Sequence, residues 1–380
     1  MKSIFLAALS TIPLFSACND ATEKKQTAPQ KVIVIDSVAT TRDFYKRLEG
    51  SIAEKPIVMH LHQFGDQIEG VYYYTDKGLW LILTQDSVAN DSIYLSESVP
   101  GDNWSEQIQK NAHFIVSIQK DGVKGRWVSG DKTKSYPITL REIYPQGSYR
   151  FSVQSFSDSV KALRNTNESP QAEISYTFVV PQENNWLDTQ VKSVLHLDSA
   201  KDFKAGFTQA KEQYFEKYKK DLPSPDDTIG MPLSVYNYTE MQRLYVRFNQ
   251  KDFVVLENFF YSFTGGAHGM HGSVFYCYDV ANKMQLQLSD ITTADSATLQ
   301  PLVEKYFRKQ YGIKEPSLKG ILFDRHISAN NNFYFNRNGI GFVYNPYEVA
   351  SYAQGQVNVF VPFSELKVFI NPEFAKRLGI

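Results

Sequence analysis

From about Arg42 to Tyr144 the chain alternates apolar and polar residues in short runs: Pro56–Gln63, Gln67–Tyr74, Leu79–Thr84, Ser92–Glu97, His113–Gln119, Val123–Ser129 and Tyr136–Ile143. Glycine- and aspartate-bearing pairs separate them, at Gly65 and Asp66, Asp76 and Gly78, Pro100 and Gly101, Asp121 and Gly122, and Gly130 and Asp131. Alternation with period two between such turns predicts β-strands joined as hairpins. Residues 41–150 therefore read as an all-β antiparallel meander, either an open curved sheet or a small barrel. No helix of consequence is expected there.

Beyond a polar stretch at Gly147–Gln171, read as a boundary, the pattern changes. Ile174–Val180 reads as a strand stopped by Pro181. Phe203, Phe207, Ala210, Tyr214 and Tyr218 form one apolar stripe at helical spacing, behind a capping-box-like Ser199–Asp202 and ahead of Pro223 and Pro225. Strand-like runs follow at Pro232–Tyr238, Leu244–Asn249, Phe253–Phe263, Ser273–Val280 and Met284–Leu288. A second helix after Ser296 carries Leu299, Leu302, Val303, Tyr306 and Phe307 on one face and ends at Gly312. Phe333–Phe335, Gly341–Tyr344 and Val357–Pro362 complete the strands. The chain as a whole reads as α+β, with residues 165–380 forming an antiparallel sheet that has helices packed on one face.

The first residues carry an address. A basic start at Lys2 precedes an apolar run from Ile4 to Phe15, far short of the ~20 residues a spanning helix needs. Small residues at Ser16 and Ala17 stand directly before Cys18. This predicts a lipoprotein signal peptide over residues 1–17, lipidation at Cys18 and a polar tether over 18–40. The expected location is the cell envelope, on a bacterial membrane and most simply the outer one. With 40 basic and 41 acidic residues the chain offers no electrostatic footprint for nucleic acid. After lipidation only Cys277 remains, in an alternating strand, so an intramolecular disulfide is excluded.

Two separated segments carry the candidate chemistry. Tyr261–Gly269 places two glycines, Gly265 and Gly266, before His268, with His271 three residues on. Asn345–Gly355 contains Tyr347, Glu348 and Tyr352. Adjacent glycines imply backbone conformations closed to other residues, hence a loop of specified shape presenting His268. Its ring would either contact a ligand or bond loop carbonyls to hold the turn. The ligand-binding candidates are Gly265, Gly266, His268, His271, Tyr347, Glu348 and Tyr352. No Lys-Ser/Thr follows the glycines, so the loop is not a phosphate cradle.

These segments, with Asn282, Lys283, Leu286–Asp290, Gly355, Pro362 and Ser364, resemble the C-terminal domain of unknown function shared by the lysozyme-sensing anti-sigma factor RsiV and the peptidoglycan deacetylase PdaC. The resemblance covers about Ala172 to Leu366. It implies a cell-envelope domain whose partner is peptidoglycan, another glycan or a lysozyme-like protein. The sequence has neither a cytoplasmic anti-sigma segment behind a spanning helix nor a metal-dependent deacetylase motif, so sigma-factor signalling and deacetylation are not implied.

Other constellations stand beside this one. Glu257 and Glu348, on or beside strands of one sheet, are the carboxylates a glycan hydrolase would use as acid and base, with His268 as a substitute. His60 and His62, two apart on a strand, are read as polar residues on a solvated face, since His113 is the sole further His in that half and lies far off in sequence. Tyr72–Tyr74 and Trp80 fit a ligand face or plain strand positions alike. No metal or cofactor is expected. The leading expectation is a non-enzymatic binding module on a lipid anchor; a glycan hydrolase and a purely structural envelope protein are the alternatives.

Overall fold

The computed structural model describes residues 43–101, 111–163, 169–222 and 233–380. Cys18, the leader and the tether lie outside the described residues. Eight antiparallel strands, β1 (Phe44–Ile52), β2 (Lys55–Phe64), β3 (Gln67–Tyr74), β4 (Leu81–Ala89), β5 (Ser92–Ser98), β6 (His113–Gln119), β7 (Gly122–Val128) and β8 (Ser135–Glu142), run in sequence order and close into a barrel through β1–β8 pairing. Of the two shapes the sequence allowed, the barrel is the one formed. The closing strand β1 lies at the start of the expected meander, where the alternation had singled out no strand. Inward positions such as Leu48, Ile57, Met59, Leu61, Tyr72 and Phe114 fill the interior, as the small radius of an eight-stranded barrel requires.

The C-terminal region is α+β. A six-stranded sheet has the order β14 (Met284–Gln285), β13 (Met270–Asp279), β12 (Phe253–Thr264), β11 (Tyr238–Gln250), β10 (Gln171–Pro181), β9 (Phe151–Lys161). Strand β9 occupies much of the stretch that polarity marked as a boundary. It is an edge strand, where one exposed face permits Ser155, Ser157 and Ser159, so its polarity reflects position and not the absence of structure. All pairs are antiparallel except β10 with β11. Parallel neighbours need a crossover, here filled by α1 (Asn185–Val194) and α2 (Phe203–Asp221). Helix α1 was not foreseen; Asn184 caps it. Asp202, not Ser199, caps α2 by accepting from the Ala205 N–H.

Residues alternate across this sheet. Val246, Val254, Leu256 and Tyr278 pack under α1 and α2. Phe248, Phe253, Val255, Phe275 and Cys277 face a three-stranded sheet, β15 (Phe333–Phe335), β16 (Gly339–Tyr344) and β17 (Val357–Pro362). Helices thus cover one face of the large sheet, and a second sheet covers the other. The remaining helices are the short α3 (Leu288–Ile291), α5 (Phe363–Leu366) and α6 (Pro372–Leu378) and the longer α4 (Ser296–Tyr311), which ends at Gly312 with φ 67°. Helix α4 lies along the free edge of β17. The N–H of Asn358 donates to the Tyr311 hydroxyl (2.8 Å) and that of Phe360 to Gln310 Oε1 (3.1 Å), so side chains complete a ladder that has no next strand. No helix among the described residues is long and apolar enough to cross a membrane.

The barrel and the sheets share one core. Val58, Val71, Tyr73 and Trp80 point outward from the barrel and join the cluster around Phe335 and Phe360, and Trp80 stacks on Tyr334 with centroids 3.5 Å apart. Tyr73 and Trp80 are therefore not an exposed ligand face, and Tyr72 lies inside the barrel. His60 and His62 do share a barrel face with Val58, but that face is not solvated: both are 0% exposed against β11. The correction has a simple cause. Alternation assigns a face and cannot say what covers it.

Candidate functional site

Two clusters of His and Tyr emerge, one buried and one at the surface. In the buried cluster, the Tyr45 hydroxyl accepts from Asn249 Nδ2 (3.4 Å) and shares a hydrogen bond with His60 Nδ1 (2.9 Å). A bulge in the β11–β12 ladder falls between Val246 and Phe248, and the Val246 N–H donates to His62 Nε2 (3.0 Å). The bond at His62 uses an unprotonated ring nitrogen, which requires a neutral ring. Burial, followed by the nearby Arg47 and Arg247 charges, holds His60 well below its ordinary value; burial, Arg247 and His60 do the same for His62. Arg47 donates to Glu49, to the Ile143 carbonyl and to Gln250. Among the described residues no group of three or more His, Cys, Asp or Glu side chains is arranged to hold a metal.

The surface cluster is built by the two segments singled out in the sequence. The β12–β13 hairpin pairs Tyr261 with His271 and Ser262 with Met270, leaving a loop in which Gly265 (φ 89°) and Gly266 (φ 96°) take the left-handed conformations expected of them. At Gly269 a Cβ would meet the Tyr261 ring at 2.5 Å, so only glycine lets the loop close onto that ring.

The second segment is clipped to the same strand by amide side chains. On the side away from β12, strand β13 has no neighbouring strand beside Ser273–Phe275, because β14 pairs only at Tyr278 and Asp279. Asn345 fills part of the gap: its Oδ1 accepts from the Ser273 N–H (2.8 Å) and its Nδ2 donates to the Ser273 carbonyl (3.2 Å). Asn332 fills the rest, accepting from the Phe275 N–H (2.9 Å) and donating to the Ser273 carbonyl (2.8 Å). Two asparagines thus imitate the missing strand. After Asn345 the chain turns, with the Glu348 N–H donating to the Asn345 carbonyl and the Tyr347 N–H to the Ala350 carbonyl.

The result is an aromatic stack at the surface. His268 lies on Tyr352 with centroids 4.1 Å apart, Tyr347 is 5.7 Å from Tyr352, and His271 meets Tyr352 edge-on at 5.5 Å. The Tyr352 hydroxyl donates to the Gly269 carbonyl (2.8 Å) and lies 3.3 Å from His271 Nδ1; His268 Nδ1 also reaches the Gly269 carbonyl (3.0 Å). Partial burial lowers the His271 pKa. Tyr347 is 49% exposed and holds φ 71°, a left-handed conformation costly for a residue with a Cβ. Strain of that kind collects where a side chain must be presented in one direction.

The carboxylates do not converge. Glu257 is buried, with Oε2 on Arg247 Nε (2.5 Å) and Oε1 accepting from the Ser273 hydroxyl (2.5 Å). Glu348 is exposed on the turn, 3.3 Å from Asn345 Nδ2. The paired acid and base read from the sequence is thus one clamped, buried carboxylate and one solvated one. Sequence reasoning overlooked Asn332 and Asn345. The available signal was an asparagine directly before Pro346, where its side chain is free to replace backbone pairing.

Residues 289–364 match a protein family of unknown function, DUF3298. The match takes in α4, the small sheet and Tyr347, Glu348 and Tyr352. Among solved structures, a DUF3298 family member from Bacteroides fragilis NCTC 9343 is similar, with 21% identity, a TM-score of 0.54, and coverage of 61% of this chain and 99% of that one. A DUF3298 family protein from Pseudomonas aeruginosa PAO1 gives 16% identity and a TM-score of 0.44 over 60% of this chain and 98% of that one. No curated protein matches.

Proposed function

We propose that the protein is a lipid-anchored binding module of the cell envelope, held on a membrane through Cys18, whose C-terminal region is kin to the RsiV/PdaC-type domain. Its surface stack of His268, Tyr352 and Tyr347 receives a glycan, peptidoglycan fragments being the first choice. The observation that carries the reading is the strained, half-exposed Tyr347 beside the 4.1 Å His268–Tyr352 stack. Sugar rings offer apolar C–H faces that pack on aromatic rings, while their hydroxyls suit exposed imidazole nitrogens and the Glu348 carboxylate. Such binding needs presentation and no chemistry, which fits a Glu257 already committed to Arg247 and Ser273. A protruding loop with one exposed aromatic also suits a lysozyme-like protein, the second reading.

Calorimetric titration with purified muropeptides and, separately, with lysozyme tests this. Saturable muropeptide binding that His268→Ala weakens supports the glycan reading, and binding of lysozyme alone supports the second. Absence of both at micromolar to millimolar concentration overturns the proposal. Turnover of a muropeptide that Glu348→Gln abolishes would replace it with a hydrolase.

A further inference from the structure

Each mouth of the barrel holds a carboxylate turned inward, and only one of the two meets a cation among the described residues. At one end Glu142, in register with the buried Leu48, pairs with Lys46, whose ammonium also donates to the Lys120 carbonyl (2.9 Å). At the other end stands Glu97, two residues beyond the buried Leu95 on β5 and in register with the buried Leu83 on β4. Barrel mouths are among the places where small ligands bind.

Aromatic rings gather around Glu97. Tyr72 and Tyr74 on β3, Trp127 on β7 and Tyr136 on β8 all pack toward the barrel interior at that end. Glu97 Oε2 accepts from the Tyr72 hydroxyl and from Trp127 Nε1 (3.1 Å), so the two flanks of the mouth meet at one oxygen. Trp127 stacks on Tyr136 with centroids 5.9 Å apart, and Tyr74 meets Tyr72 edge-on at 5.9 Å. The second oxygen, Oε1, accepts no hydrogen bond among the described residues and stays accessible. Glu97, Tyr74, Trp127 and Tyr136 are each partly exposed, so the mouth is open to solvent. Burial, then the Glu97 charge, raises the pKa of both Tyr72 and Tyr74. The other charge that bears on Tyr74 is Asp76, which lies beside Lys77 at the surface (3.5 Å). A carboxylate drawn in among rings without a cation is costly in a fold that has no use for it.

We propose that this mouth of the barrel is a binding site for a quaternary ammonium group. The cation lies against the faces of Trp127, Tyr136 and Tyr74, whose negative π-clouds attract it, and Glu97 balances its charge. A methylated nitrogen suits the site better than a primary ammonium, whose three N–H donors need acceptors that ring faces do not supply. The bonds from Tyr72 and Trp127 hold the carboxylate in place before the ligand arrives, which lowers the cost of binding. The site stands whether or not the aromatic stack around Tyr352 binds a glycan.

The test is titration of the intact chain with choline and with its neutral isostere 3,3-dimethylbutan-1-ol, followed through the indole N–H signals by NMR. Choline should shift the Trp127 signal to saturation and leave those of Trp80 and Trp186 fixed, and the alcohol should bind about tenfold more weakly or worse. Glu97→Gln removes the charge but keeps an acceptor for Tyr72 and Trp127, so the barrel should stay folded while choline binding falls about tenfold. Tyr136→Leu keeps an apolar filler and removes a ring face, so it should weaken choline and spare the alcohol. Dihexanoylphosphatidylcholine, a soluble lipid, separates two sources of the group: a shift of the Trp127 signal assigns a lipid headgroup, and a response to choline alone assigns a free small molecule. Equal affinity for choline and the alcohol, a Trp127 signal that choline leaves unmoved up to high millimolar concentration, or full choline affinity in Glu97→Gln would each overturn the assignment.

Discussion

The two His and Tyr clusters use the same side chains for opposite ends. Around Tyr45, His60 and His62 every ring is covered, one nitrogen of each imidazole is hydrogen-bonded, and the cluster joins the barrel to β11. Around His268, His271 and Tyr352 the rings stack at the surface, tied by one carbonyl at Gly269 and edged by a strained tyrosine. Composition and spacing do not separate the two. His60 and His62 are two apart on a strand, and His268 and His271 are three apart across a loop end. What separates them is the covering layer, which makes a charge on either buried ring costly.

The first way to break the comparison is to open the joint. Trp80→Ala removes the ring stacked on Tyr334 in the shared core and should destabilise by about 3–5 kcal/mol in urea unfolding. If the surface stack is independent of the joint, the surviving folded fraction keeps its ligand affinity. Acid is the second. His60 and His62 have folded-state pKa values well below the ordinary 6.5, so the unfolded chain binds protons that the fold refuses. Stability should be full above about pH 6.5 and fall as pH drops, by up to about 1.4 kcal/mol per unit for each histidine, until the folded values are reached. A His60→Gln, His62→Gln double variant should flatten that slope, and an unchanged slope would mean the joint does not exclude the proton.

Smaller changes sharpen the surface side. Asn345→Ala leaves the Ser273 N–H unpaired and should cost about 1–3 kcal/mol. It should also speed hydrogen exchange at Ser273 and release the Tyr347 turn, so glycan affinity falls with it. Tyr347→Gly should have the smallest effect on stability, within about 1 kcal/mol and in the stabilising direction, because glycine removes the cost of φ 71°. It should nonetheless remove binding. A clear loss of stability would show that Tyr347 is there for the fold.

Much of this molecule is legible in the chain. Strands β3 and β6 start and stop where the alternation does, Gly312 ends α4, and the Gly-Gly loop has the backbone its residues demand. Other features needed three dimensions. The edge strand β9 looked like a linker because one of its faces has nothing to bury. Helix α1 was missed although Leu187, Val191 and Val194 recur at helical spacing behind the Asn184 cap, because only ten residues carry the pattern. His60 and His62 had their face read correctly and their surroundings missed. Glu257 looked free because its partner Arg247 sits at a bulge, which no periodicity announces. At the surface site the aromatic residues stood out in the sequence, and the two asparagines that dock one segment on the other did not.

The central claim is that the surface cluster meets ligand while its buried counterpart only joins the fold. Imidazole NMR signals, followed while a muropeptide is added at pH 7, test it most directly. The account predicts that the His268 and His271 resonances shift to saturation while those of His60 and His62 stay fixed. Binding that moves the His60 and His62 signals and leaves His268 unmoved would contradict it.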